Sequence, residues 1–247
     1  MTDPQLSIVI PCYNEETRLK RTLEQTLAYL RARGGAAEII VVSDGSKDKT
    51  KVVAEECLTH APENVSTRVV EYFPNHGKGY AVKVGMMLAK GARILFMDAD
   101  YSVPLEDLAK AEALLDKNVD IAIGSRALED TKIVEHQSFL RERFAKLFGL
   151  MQRTYLGLKL KDTQCGFKLF TYQAAREIFP RLKLSSVIFD GEALWLAKKQ
   201  GFTVAEFPVE WTHDLDTRIS YTPLKAVKVL VDVIKVPWLH LNTKRAK

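Results

Sequence analysis

The stretch LSIVIPCYNEETRLKRTLEQTLAYLRARGGAAEIIVVSDG, from Leu6 to Gly45, decides the fold. Leu6-Ser7-Ile8-Val9-Ile10-Pro11 is a short β-branched run closed by proline, and Glu38-Ile39-Ile40-Val41-Val42 is a second one that stops at Ser43-Asp44-Gly45. Continuous apolar runs of this length between turn residues read as strands buried on both faces. Between them, Glu15 to Arg33 carries Leu19, Leu23, Leu27 and Leu30 at helical spacing, and Gly34-Gly35 supplies a stop. The sum is a βαβ unit with two parallel strands.

The same rhythm continues downstream. Arg68-Val69-Val70-Glu71-Tyr72 reads as a strand, Gly79 to Lys90 as a helix, Arg93-Ile94-Leu95-Phe96-Met97 as a strand, Leu105 to Leu115 as a helix and Val119 to Ile123 as a fifth strand. The fold class is therefore α/β, a mostly parallel sheet flanked by helices. In such sheets ligands sit beyond the carboxyl ends of the strands, which makes the loops after the strands the informative ones.

After about residue 130 the pattern changes. Phe139 to Leu158 reads as a longer helix that mixes Phe139, Phe144, Leu147, Phe148, Met151 and Tyr155 with Arg141, Arg143, Lys146 and Arg153. Tyr221 to Trp238 alternates Leu224, Val227, Leu230, Val231 and Ile234 with Lys225, Lys228 and Lys235, and Lys244, Arg245 and Lys247 follow. Basic amphipathic helices of this kind suit a membrane surface; the first equally suits packing on the domain with its charges in water, and the C-terminal one is the better candidate for membrane contact. The expected organisation is a main domain over 1–219 and a basic amphipathic helix with its tail over 220–247.

The chain has 247 residues, of which 47% are hydrophobic, enough for a full-sized core, and a formal charge of +5 that suits phosphate-rich ligands or an anionic membrane face. Cys12, Cys57 and Cys165 are odd in number and lack metal-ligand spacing, so they read as reduced thiols in a reducing compartment. The N-terminus shows no signal-peptide pattern, and no run of roughly 18 or more apolar residues long enough to span a bilayer occurs. A cytoplasmic location follows as the expectation.

The chemistry gathers at the predicted strand ends. Asp98-Ala99-Asp100 directly follows Ile94 to Met97, and two carboxylates two apart offer hard oxygen ligands to Mg²⁺ or Mn²⁺, which can neutralise a diphosphate leaving group. Such a pair alone is more often a solvated turn; its place after a parallel strand raises its weight. Asp44 stands at another strand end, where an acceptor can meet a nucleotide base or ribose, while Ser46 and Asp48 suit a helix cap. Pro11-Cys12-Tyr13-Asn14-Glu15 occupies the equivalent place after the first strand, with Tyr13 able to lie on a flat base. His76-Gly77-Lys78-Gly79 precedes a helix and could meet phosphate, or be an ordinary glycine turn. Gly124-Ser125-Arg126 offers a guanidinium fork for phosphate oxygens, or merely a surface arginine.

Taken together, these motifs with Asp162-Thr163-Gln164-Cys165-Gly166-Phe167-Lys168, Phe189-Asp190-Gly191-Glu192 and Val209-Glu210-Trp211-Thr212 resemble a family 2 glycosyltransferase of the GT-A fold. The resemblance covers about residues 6 to 219 and lies within the polyprenyl-phosphate hexosyltransferases, nearest the dolichyl-phosphate β-glucosyltransferase type. It implies that Pro11, Tyr13, Glu15 and Asp44 hold the nucleoside, and that Lys78, Asp98, Ala99 and Asp100 meet the diphosphate. Asp98 and Asp100 would carry the metal, and Arg126 would face donor or acceptor phosphates. Arg218 falls where relatives carry a basic residue near the diphosphate. Asp190 and Glu192 are placed near the sugar, although at the start of a helix they also suit its positive end.

The resemblance implies an inverting, metal-dependent transferase moving glucose from UDP-glucose to a polyprenyl phosphate, on the cytosolic membrane face, with no nucleic acid among its partners. Mannosyl relatives usually continue the acidic motif with Leu-Gln, whereas Tyr101-Ser102 stands here, which favours UDP-glucose over GDP-mannose. The alternatives are a GDP-mannose-dependent mannosyltransferase, a family 2 transferase with a non-lipid acceptor, and a nucleotide-sugar-binding module without turnover. Relatives often carry membrane-spanning helices after the catalytic domain; here either the basic helices suffice or a separate membrane protein recruits the chain.

Overall fold

The computed structural model describes residues 3–133, 149, 152–212 and 223–243. In chain order its elements are β1 (Leu6–Cys12), α1 (Leu19–Arg33), β2 (Ala37–Asp44), α2 (Thr50–Leu58), β3 (Val65–Tyr72), α3 (Lys78–Leu88), β4 (Arg93–Met97), α4 (Leu108–Leu115), β5 (Ile121–Ser125) and β6 (Lys132–Ile133). Residues 152–156 are helical (α5). Then follow β7 (Phe167–Thr171), α6 (Tyr172–Ile178), α7 (Phe189–Gln200), β8 (Val204–Pro208), β9 (Glu210–Trp211) and α8 (Pro223–Leu239).

Seven strands form one sheet in the order β3-β2-β1-β4-β7-β5-β8, and β6 pairs with β9 in a separate short ribbon. All pairs of the large sheet are parallel except those of β7, which runs antiparallel to both β4 and β5. The five strands read from the sequence are all present, with β2 extended to Asp44 and β5 shifted to Ser125, so both residues end their own strands. The antiparallel β7 and the edge strand β8 were not anticipated. Because β7 is reversed, its first residue Phe167 pairs with Met97, the last of β4. That register delivers Gly166 to the mouth of the parallel strands.

Alternating strand residues feed two cores, one on each face. Ile8, Ile10, Ile39, Val41, Leu95 and Met97 pack with Leu19, Leu23 and Leu27 of α1 and Leu108 of α4. Val9, Ile40, Val42, Ile94 and Phe96 pack with Val82 and Met86 of α3 and with α6, α7 and α8. α8 joins the second core through Val233 and Val236. The boundary expected at 219/220 lies outside the described residues, as does most of the helix expected over 139–158.

α3 lies flat on the sheet because Gly85 lacks a side chain: a Cβ there would stand 2.3 Å from Val9 Cγ1 and 3.1 Å from Val42 Cγ2. Both neighbours are β-branched residues of buried strands and cannot swing aside. Gly85→Ala should therefore destabilise the fold by about 1–3 kcal/mol despite alanine's better helix propensity. An unchanged midpoint in urea denaturation would show that α3 stands clear of β1.

Candidate active site

The loops after β1, β2, β4 and β5 and the start of β7 meet at one edge of the sheet. Asp98 follows the last residue of β4, and its backbone N–H donates to the Gly166 carbonyl at 3.0 Å. The Asp98 carboxylate lies directly over the bare Cα of Gly166, since a Cβ there would sit 2.0 Å from Asp98 Oδ2. Its other oxygen, Oδ1, meets Lys78 Nζ at 2.7 Å, both side chains being about one-third exposed (29% and 33%). Burial opposes the Lys78 charge, but Asp98, then Asp190 and Asp100, outweigh it and raise its pKa. Lys78 is thus a secure cation at the first position of α3.

Asp100 closes the same loop. Its Oδ1 accepts from the Ser102 backbone N–H at 3.0 Å and from the Ser102 hydroxyl. Between them Tyr101 has φ 54, a left-handed conformation that costs an ordinary residue about 1–2 kcal/mol. The loop is braced from outside: the Thr22 hydroxyl donates to the Ala99 carbonyl at 2.6 Å and the Thr212 N–H to the Ser102 carbonyl at 3.0 Å. Burial and then the neighbouring Asp98 charge push the Asp100 pKa upward. Two close carboxylates resist ionising together, and a cation between them would relieve that.

Beneath the loop lies a buried ion pair. Lys168 of β7 donates to Asp190 of α7 and to the Cys165 carbonyl, with lysine and aspartate side chains only 2% and 4% exposed. The Phe96 ring lies close to both ammonium groups, 5.5 Å from Lys78 Nζ and 5.7 Å from Lys168 Nζ. Burial raises the Asp190 pKa while Lys168 and then Lys78 pull it back. Asp190, expected beside the sugar, is the buried counter-ion of Lys168. Glu192, expected there too, is 0% exposed, and its carboxylate faces His240 Nε2 at 2.6 Å and accepts the backbone N–H groups of Lys183 (2.9 Å) and Leu184 (2.8 Å). Both carboxylates are engaged within the fold.

On the other side of the cleft the loops after β1 and β2 are laced together. Asn14 N donates to Ser46 Oγ (3.1 Å), its Oδ1 accepts from Lys47 N (2.7 Å), and Glu15 N donates to Thr50 Oγ1 (2.7 Å). Tyr13 is left 41% exposed, a free aromatic face at a strand end. Glu15 carries a two-pronged ion pair with Arg18 at 2.7 Å on both contacts. Pro11 is a buried strand residue opposite Val42. Asp44 is 2% exposed, and its carboxylate gathers the N–H groups of His76 and Gly77 and the Asn75 amide, each at 2.8 Å. It thereby shapes the turn that precedes Lys78.

Arg126 is held rather than free. Its Nε and Nη2 donate to the Asp162 carboxylate at 2.7 and 3.0 Å, its backbone N–H donates to the same group at 3.1 Å, and its guanidinium lies 5.5 Å from the Trp211 ring. Burial opposes the charge of Arg126 and the uncharging of Asp162 is likewise favoured by burial, but each ion outweighs that for the other: the arginine pKa rises and the aspartate pKa falls. The fork expected on phosphate is largely spent on this clamp. Cys165, between Asp162 and Gly166, is buried and its thiol is pushed up to about 12 by that burial. Gly166, Lys168 and Asp162 lie in a motif already singled out, yet their roles were not foreseen. Arg218 lies outside the described residues, and among those described no group of three or more His, Cys, Asp and Glu side chains gathers to form a metal cage.

The chain is similar to known proteins. The profile of the family described as "Glycosyl transferase family 2" matches residues 7–179. The dolichyl-phosphate beta-glucosyltransferase of Dictyostelium discoideum is 33% identical over 247 residues, covering 96% of this chain and 75% of that protein. The proteins of the same name from Drosophila melanogaster and Homo sapiens are 39% and 36% identical, each over 85% of this chain and over 67% and 68% of their own lengths. Among solved structures, glucosyl-3-phosphoglycerate synthase from Mycobacterium tuberculosis superposes with a TM-score of 0.65 at 16% identity, over 100% of this chain and 82% of its own. That enzyme has also been crystallised with Mn²⁺, UDP and its glucosylated product.

Gly166 is the position on which the acidic loop leans most directly. Gly166→Ala should drive the Asp98 carboxylate out of place and destabilise the fold by about 1–3 kcal/mol. Urea denaturation checks this, and a wild-type midpoint would show that Asp98 does not lean on Gly166.

Proposed function

Because the chain belongs to glycosyl transferase family 2 and has the GT-A fold, we propose that this glycosyltransferase moves glucose from UDP-glucose to a dolichyl-type polyprenyl phosphate with inversion at the anomeric carbon. The observation that carries the reading is the ion pair of Asp98, just after β4, with Lys78, at the start of α3, an anion and a cation at the strand mouths where ligands of such sheets bind. The names of the relatives supply the sugar and the acceptor, and the UDP complexes of the structural neighbour support the nucleotide.

In this reading Tyr13 lies against the base, and Asp44 and Glu15 frame the nucleoside. Lys78 faces the diphosphate with its charge secured by the surrounding carboxylates. Asp98 and Asp100 would hold Mg²⁺ or Mn²⁺; two carboxylates suit a hard cation that completes its shell with water and phosphate oxygens. When bound, the ion neutralises charge on the departing diphosphate. The acceptor phosphate is already anionic at neutral pH, so its oxygen attacks the anomeric carbon as the bond to UDP breaks, and no side chain has to remove a proton. The chain's task is then alignment and charge neutralisation. The engagement of Asp190 and Glu192 within the fold agrees with that, and Arg126 would serve the phosphates through the loop it clamps to Asp162.

The same reading places the protein on the cytosolic membrane face. No helix among the described residues is long and apolar enough to cross a membrane. α8 nevertheless turns a second apolar face outward: Val227, Leu230, Val231, Ile234 and Trp238, three or four residues apart, are 39% to 67% exposed, while Val233 and Val236 are buried behind them. Exposed Lys228 and Lys235 stand on the same helix, which suits an anionic lipid surface. The buried free thiols of Cys12 and Cys165 suit a reducing compartment.

Three experiments test this. Purified protein given a panel of nucleotide sugars, polyprenyl phosphate and Mg²⁺ or Mn²⁺ should release UDP only from UDP-glucose and yield a β-linked glucosyl lipid. Asp98→Asn with Asp100→Asn should slow that reaction by about a hundredfold or more. Use of GDP-mannose, full rate without the lipid, or UDP binding without turnover would each replace the reading by another. Trp238→Glu should weaken co-sedimentation with phosphatidylserine vesicles by about tenfold. A variant that sediments like wild type, or that loses only self-association, would remove α8 from the membrane.

A further inference from the structure

The segment between α6 and α7 is wedged between two elements that lie on opposite sides of it. On one side Ser185 presents its carbonyl to the Gly79 N–H at 2.9 Å, in the first turn of α3. The fit is so close that a Cβ at Gly77 would stand 2.4 Å from Ser185 O, and one at Gly79 would stand 2.7 Å from Leu184 O. On the other side the same segment is fastened by Glu192, whose carboxylate receives the N–H groups of Lys183 and Leu184. Glu192 in turn meets His240 Nε2 at 2.6 Å, with both side chains 0% exposed. His240 follows the last turn of α8, packs on Trp195 at 5.7 Å between ring centroids, and its carbonyl accepts from Lys199 Nζ at 2.6 Å. Lys183 Nζ also donates to the Leu239 carbonyl at 2.5 Å. The contacts therefore form one unbroken series: α8, His240, Glu192, residues 183–185, the Gly77–Gly79 turn, and Lys78 with its partner Asp98.

We propose that Glu192 and His240 are a positioning pair that sets the placement of Lys78 through residues 183–185 and ties it to the seating of α8. A buried carboxylate is costly unless its lone pairs are filled, and here two backbone amides and an imidazole fill them. The expense is out of proportion for merely joining two helices, which Val233 and Val236 already do by apolar packing. Its particular product is a backbone carbonyl, Ser185 O, held at fixed height beneath the glycine turn. Glycine at 77 lets that carbonyl approach where a side chain would block it, and glycine at 79 does the same for the neighbouring Leu184 carbonyl. The proposal rests on the reading of Lys78 as the diphosphate-facing cation, and its test separates the two.

His240→Leu removes the donor and His240→Gln keeps an amide donor within similar reach. In hydrogen exchange of the whole protein, His240→Leu should speed exchange at residues 77–81 as well as at 183–186, and His240→Gln should restore much of the protection. UDP affinity in the presence of Mn²⁺ should fall roughly twofold to thirtyfold in His240→Leu. In a Lys78→Ala background the same substitution should add no further loss. Opening confined to 183–186, or a loss of UDP affinity that is equal with and without Lys78, would overturn the proposal. Should His240→Leu fail to fold, His240→Gln and Glu192→Gln carry the same exchange comparison. If Lys78→Ala alone binds UDP like wild type, the role of Lys78 falls, while the exchange data still decide whether the pair holds the α3 turn.

Discussion

The site depends on one close approach, that of the Asp98 carboxylate to the bare Cα of Gly166. It exists only because β7 enters the sheet backwards between β4 and β5 and so brings its first residues level with the end of β4. A seventh strand running parallel would have delivered the other end of its loop and left Asp98 unsupported on that side. Reversal also places Lys168 in the middle of a buried strand, where its ammonium group must have a partner. α7 supplies Asp190, and the position of that helix follows in part from the need to neutralise a charge inside the fold.

Lys78 is then held from two directions by carboxylates that never touch it. Asp44 collects the N–H groups of His76 and Gly77 from the β2 side, and Glu192 fixes the segment that supports Gly79 from the α7 side. Both bind backbone N–H groups, which lack side-chain rotamer freedom, so the geometry they impose is stiff. A lysine with four rotatable bonds makes a poor fixed point unless its backbone is clamped, and here the clamping is done at the two residues on either side of it. The Asp98 pair completes the restraint at the ammonium end.

Much of this frame was legible in the residues. The runs at Leu6, Glu38, Arg93 and Val119 are apolar and β-branched, and a strand buried on both faces needs nothing else to declare itself; the run at Arg68 belongs to the edge strand β3, which is only partly buried. β7 was not legible because Phe167-Lys168-Leu169-Phe170 breaks its apolar run with a lysine, and the aspartate that excuses it stands 22 residues later in another element. Arg126 and Asp162 hid each other for the same reason, as did Glu192 and His240, separated by 36 and 48 positions. Sequence patterns disclose periodicity, which is local, and do not disclose which distant charge satisfies a buried one. The motif Asp162 to Lys168 did carry a signal, since two charges and a glycine within seven residues are too polar for an ordinary buried approach to a strand.

That difference bears on how charged residues in such a site should be interpreted. A carboxylate or guanidinium at a strand end invites a catalytic role, yet Asp190, Glu192 and Arg126 each spend their hydrogen-bonding capacity on another part of the chain. What they share is nearness to the cleft: Lys168, the partner of Asp190, lies at the same Phe96 ring as Lys78, Glu192 holds the segment that meets Gly79, and Asp162 begins the segment that leads to Gly166. Chemistry that needs alignment and charge neutralisation more than proton transfer gains from such an arrangement. The few exposed charges can be weakly held individually because each stands on a buried pair that cannot relax without leaving an ion unmatched in the core.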